Sequence, residues 1–231
     1  MTTTTVRRRL IPTSVLAALA ILAALLTTTL GDAHDALAEG HSAHGATSRA
    51  LSSRQVVFHD QMRRLWEDHV TWTRLAIVTF ADDSGGFGAT AGRLLQNQTD
   101  IGDAIKPFYG DAAGSQLTTL LNDHITIAVE LLRAARAGDP AAVADASTRW
   151  YANADDIADF LAAANPRFWP QAAMRASMKE HLDQTLAEAQ HELSGDHPAS
   201  VSDYEAIHAH ILQMADTLSN GILRTFPHHF H

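Results

Sequence analysis

Cysteine is absent from this 231-residue chain. Disulfides, thiolate metal sites and thiol nucleophiles are thereby excluded, and any metal must be held by histidine, carboxylate or backbone groups. Basic residues are outnumbered, 17 Lys and Arg against 26 Asp and Glu, for a formal net charge of −9. An acidic chain of this kind makes a poor partner for nucleic acid or anionic lipid. The catalytic signatures are missing too. The Gly-rich SGGFGATAG, Ser84 to Gly92, has no following Lys-Ser/Thr and no preceding strand, so it reads as a turn before a helix and not a phosphate loop. There is no G-x-S-x-G, no H-E-x-x-H, and no Glu-x-x-His pair of the di-iron bundle proteins. Nothing in the sequence requires catalysis. What is plentiful is histidine: 14, against 3 Tyr and 4 Trp.

The chain divides by composition. Residues 1–38 read as a secretory signal: Arg7, Arg8 and Arg9, an apolar stretch from Leu10 to Leu26, and a small-residue exit at Ala36-Leu37-Ala38. The arginine pair also fits the twin-arginine pattern loosely. The apolar stretch is too short and wrongly flanked for a membrane span, and no later segment approaches one, which points to a secreted or cell-envelope protein. Residues 39–53 are small and polar and read as a flexible arm. Cleavage after Ala38 would start the mature chain Glu39-Gly40-His41, where a free amine, two amides and the His41 imidazole form a square-planar site for Cu(II) or Ni(II). The far end, 228–231, is a His-rich tail with His228, His229 and His231.

Between these ends, residues 54–227 carry helical periodicity. Met62, Leu65, Trp66, Val70 and Ile77 follow three-and-four spacing up to a break at Asp82–Gly88. A second helix is expected over Ala89–Ile105, stopping at Pro107, and a third over Ser115–Ala137, ending at Gly138. Asp139-Pro140 supplies a cap and first turn for a fourth, which reaches Ala164. The fifth spans about Pro170–Leu193 and the sixth about Ala199–Arg224. Trp66, Trp72 and Trp150 sit at core spacing, whereas Arg63, Arg64 and Arg74 read as a solvated flank.

One phrase recurs on the even-numbered helices. NQTDIGDAI (Asn97–Ile105) and NADDIADFL (Asn153–Leu161) share Asn, Asp, Ile and Asp, and HILQMADTL (His210–Leu218) is a weaker third copy. Asp68-His69, Asp123-His124 and Glu180-His181 recur on the odd-numbered helices. The separations His69–Asp103, His124–Asp159 and His181–Asp216 agree to within one residue. The expectation is an all-α, six-helix bundle built from three antiparallel helical-hairpin repeats of about 56 residues.

Residues equally far from a hairpin turn sit side by side. His69 then faces Asn97, His124 faces Asn153 and His181 faces His210, with Asp100, Asp156 and Asp216 on nearby turns. Imidazole with carboxylate and no sulfur suits Zn, Cu, Ni, Mn or Fe, and bundles hold such ligands between facing helices. The candidate ligands of a divalent transition metal are therefore His181, His210, Asp216, His69, His124, Asp100, Asp156 and, at the other end, His41. The third hairpin ranks first because it pairs two imidazoles. The alternative is a structural or protein-interaction module, in which His, Asn and Asp satisfy one another across each hairpin.

MRRLWEDHVTWTRLAIV, RLLQNQTDIGDAIKPFYG and NGILRTFP together resemble a group of small uncharacterised bacterial proteins that share an LWE-x-HV-x-WTR motif. The likeness covers about residues 58–227 and implies an all-helical domain with no settled activity. Some of those relatives carry names such as acetylglutamate kinase or glycosyltransferase, for which this chain has neither a nucleotide loop nor an α/β pattern.

Overall fold

The computed structural model describes residues 51–231. The expected signal segment and the expected arm up to residue 50, with His41, lie outside the described residues. Six long helices follow in order: α1 (Ser53–Ala81), α2 (Phe87–Tyr109), α3 (Asp111–Ala137), α4 (Pro140–Ala164), α5 (Gln171–Ser194) and α6 (His197–Thr225), then a 3-10 turn at Pro227–Phe230. The fold is the all-α six-helix bundle expected.

Local chemistry sets the helix ends. Ser52 and Gln55 form a capping box that opens α1. The Asp139 carboxylate accepts from the N–H groups of Ala141 and Ala142 ahead of Pro140, and Asp196 accepts from Ala199 at the start of α6. Gly138 (φ 69°) and Gly195 (φ 80°) end α3 and α5 in the left-handed region, where a Cβ would be strained.

Each helix packs on the next and α6 returns to α1, so the six close into a ring, with α5 also touching α1. The apolar stripe on each even-numbered helix advances by fours: Asn97, Ile101, Ile105; Asn153, Ile157, Leu161; His210, Met214, Leu218, all buried. The polar member of each trio is the first residue of the recurring phrase. Where α2 crosses α3 the backbones nearly touch, since a Cβ on Gly102 would lie 2.6 Å from the Gly114 carbonyl.

Helix α3 begins at Asp111, four residues before the expected Ser115, and two further departures from expectation shape the packing. Helix α2 runs through Pro107 to Tyr109, because a proline this near the end forfeits a single ladder bond. The added turn seats two aromatic rings. Phe108 packs on Phe58 and Phe230, and Tyr109 packs on Trp169 and Phe226. The C-terminus is tethered and not a free tail. Phe230 is buried, Ser52 Oγ donates to its carbonyl (3.1 Å), and Arg54 donates to the His231 carbonyl (2.6 Å).

Candidate functional site

One imidazole from each odd-numbered helix reaches the bundle interior. His69 (α1), His124 (α3) and His181 (α5) are all buried. The His181 ring centre lies 5.6 Å from that of His69 and 6.4 Å from that of His124. All three line one chamber of about 60 Å³, whose remaining walls are apolar except for Thr73 and Thr185. Both threonines stand four residues after a chamber histidine and donate back to its carbonyl at 2.8 Å. The chamber has room for roughly four water-sized molecules.

The ring nitrogens are held differently. His124 Nδ1 lies 2.8 Å from Asn153 Oδ1, and Asn153 Nδ2 donates to the Leu120 carbonyl, which fixes the amide. Only a protonated Nδ1 satisfies that contact, so Nε2 carries the free lone pair. His69 Nδ1 receives Gln98 Nε2 at 3.2 Å. Buried His181 Nδ1 has no hydrogen-bond partner, and neither has Nε1 of Trp150, which also lines the chamber. Unmet buried nitrogens of this kind cost about 1–3 kcal/mol each unless a ligand or water satisfies them.

The rings are kept neutral. Burial, helped by the neighbouring His124, pushes His69 down to about 3, and burial lowers His124 to about 4 against the Asn153 hydrogen bond. His181 is driven well below its ordinary value by burial and then by His69, His124 and His210. Neutral imidazole is the metal-ligating form.

Beside the chamber lies a buried ionic knot. Arg74 Nη1 donates to Glu188 Oε1 (2.9 Å), and Arg74 also pairs with Glu192 (3.3 Å) and contacts Ser200. Burial raises Glu188 to about 7, with Arg74 opposing. The solvated flank expected for Arg74 is thus overturned: two interior carboxylates draw the guanidinium inward. The LWE-x-HV-x-WTR stretch carries both His69 and Arg74, which sequence spacing alone did not connect.

The expected ligands separate into two groups. His69, His124 and His181 meet at the chamber. His210 stacks on His181 at 6.5 Å and 15°, but its Nε2 donates to the Ser177 carbonyl at 3.0 Å, and Glu180 lies 3.6 Å from its Nδ1. His181 thus stacks on His210, whose Nε2 is already engaged, and also lies beside His69 and His124 from two other hairpins.

The carboxylates are elsewhere. Asp216 takes Arg63 at 2.6 and 2.7 Å and His59 at 3.0 Å. Asp100 accepts from Gln96 at 3.1 Å, with Arg93 at 3.5 Å, and Asp156 is exposed in a surface groove beside Asp123. The reason is helical phase. A step of three residues lags the inward stripe, whose next position is the fourth residue, Ile101 or Ile157. Among the described residues, no group of three His, Asp or Glu side chains is set to hold a metal ion.

Gln98 was missed because the phrase drew attention to Asn97, which instead donates to the Leu65 carbonyl at 3.0 Å. Comparisons with family models, with curated proteins and with solved structures gave no match. The resemblance read from MRRLWEDHVTWTRLAIV, RLLQNQTDIGDAIKPFYG and NGILRTFP rests on those residues alone.

Proposed function

We propose that this is an exported binding protein whose ligand is a transition metal, taken up in the chamber by His69, His124 and His181. One observation carries the reading: three neutral imidazoles from three helices border one apolar chamber, one of them with a buried, unpartnered nitrogen. Two imidazoles on one tetrahedral ion have ring centres about 5 Å apart, given metal–nitrogen bonds near 2 Å. The separations of the His181 ring from His69 and His124, 5.6 and 6.4 Å, exceed that spacing by about 1.5 Å or less. The Asn153 contact on His124 Nδ1 is the outer-shell partner that metal-bound histidines use. Export follows from the character of residues 1–38.

A second reading has its own support. Asn97, Asn153 and His210 all donate to the backbone carbonyl four residues before a chamber histidine, at 3.0–3.1 Å. These contacts serve a structural or protein-interaction module without any metal. Elemental mass spectrometry of the untagged chain decides between the two, with His124→Ala and His210→Asn beside the parent. Stoichiometric metal in the parent and in His210→Asn, lost from His124→Ala, supports the chamber site. No metal in any of them after incubation with Zn, Cu, Ni, Mn and Fe ends the metal reading and leaves the module.

A further inference from the structure

We infer that the ion this chamber selects is copper in its monovalent state, held by the imidazoles of His69, His124 and His181. The inference rests on the metal-site reading above. It starts from what lines the chamber. Beyond the histidines and two threonines the walls are side chains such as Ile77, Leu94, Ile125, Leu132 and Leu186, and no carboxylate is among them.

The acids next to the chamber histidines in sequence face away from it: Asp68 pairs with Arg93, Asp123 lines a surface groove and Glu180 lies beside His210. Glu188 and Glu192 hold Arg74 and do not line the chamber, although Glu188 Oε2 is buried without a hydrogen-bond partner. An ion bound by neutral imidazoles alone keeps its whole charge. The cost of an unneutralised charge in an apolar interior grows with its square, so a divalent ion pays about four times the desolvation of a monovalent one.

Ligand number points the same way. Each odd-numbered helix offers one nitrogen, which makes three. Sulfur ligands select monovalent copper most strongly, and imidazole also binds copper; a closed-shell ion of this kind accepts three nitrogen donors without a fourth ligand. Zinc holds a fourth ligand, and a site with three protein donors takes water there. In this chamber that water would have to give up a proton before the net charge fell. Copper in the lower state needs no such step.

The test uses the whole chain. Cu(I) is supplied anaerobically against the colorimetric chelator bicinchoninate, with Zn(II) and Cu(II) titrated in parallel. His124→Gln and Ala128→Asp are measured beside the parent. Ala128 lines the chamber one turn beyond His124, so an aspartate there places a negative charge against the ion.

The expected result is one Cu(I) per chain, retained against a roughly tenfold excess of Zn(II), with an infrared C–O stretch on addition of carbon monoxide. Ala128→Asp should move the preference toward Zn(II) by about tenfold or more. Stoichiometric Zn(II) or Cu(II) held in preference to Cu(I) overturns the inference and leaves the metal site standing. Cu(I) binding unchanged in His124→Gln, with native circular dichroism, also overturns it by placing the ion elsewhere, for example at His228, His229 and His231. Binding of none of the three ions overturns the metal-site reading itself.

Discussion

His210 Nε2 donates to the Ser177 carbonyl at 3.0 Å, and Ser177 stands four residues before His181. Asn97 does the same to Leu65, four before His69, and Asn153 to Leu120, four before His124. An imidazole and two amides thus fill one role, tying an even-numbered helix to the backbone of the odd-numbered helix it packs on. His210→Asn should therefore fold with a stability within about 0.5 kcal/mol of the parent. His210→Ala should lose about 1 kcal/mol, the net worth of one such hydrogen bond. Urea unfolding of both variants checks this, and equal losses would show that the imidazole is needed for more than the tie.

Two glycines of α2 should respond oppositely to alanine. A Cβ at Gly102 meets the Gly114 carbonyl at 2.6 Å and the Thr118 hydroxyl, so Gly102→Ala must push α3 away and should cost about 1–3 kcal/mol. A Cβ at Gly92 meets nothing within 4 Å, so Gly92→Ala should gain roughly 0.5–1 kcal/mol from helix propensity. Thermal melts of the two variants should move in opposite directions. A neutral Gly102→Ala would mean that the two helices are not held this close.

Helix number, helix order and the turns at Gly138 and Gly195 were legible because periodicity, caps and glycine act locally. The recurring histidines were legible as inward-facing for the same reason. What spacing did not reveal was which hairpins they join. Facing residues within a hairpin can be counted from the turn, so His181 was matched to His210. The meeting of His69, His124 and His181 depends on ring closure between α6 and α1, which leaves no mark on local spacing. Asp100 and Asp156 were drawn into the site by stepping three residues where the buried stripe steps four. Arg74 was read as solvated because its partners Glu188 and Glu192 lie on α5, far along the chain.

Arg74 neutralises a buried pair of carboxylates, Glu188 and Glu192, which are 0% and 5% exposed. Arg74→Met removes that cation and should cost about 3–5 kcal/mol, because it leaves buried carboxylates without their partner. Adding Glu188→Gln to Arg74→Met should recover more than 1 kcal/mol, roughly, because the two residues share one network. A double-mutant cycle by urea unfolding measures the coupling. Strict additivity would mean that the ion pair contributes nothing.

The pH dependence of stability should carry the signature of the buried imidazoles. His69, His124 and His181 all sit below 6.5 in the folded protein, two of them at about 3 and about 4. Between pH 6.5 and 4.5 the unfolded chain therefore takes up protons at these sites, rising from about one and a half towards three, that the folded chain refuses, and stability falls as pH falls. Glu188 has the opposite sign. Its folded value is raised from 4.5 to about 7, so over the same window the folded chain holds one proton that the unfolded chain releases. The net difference near pH 5.5 is about two protons, or a loss of about 3 kcal/mol per pH unit of acidification. Glu188→Gln removes the opposing proton and should steepen the slope to about 4 kcal/mol per pH unit. Urea unfolding at half-unit steps from pH 7 to 4.5 measures both slopes. A parent whose stability is flat across that window would mean that the three rings accept protons in the folded chain and are not held neutral by burial.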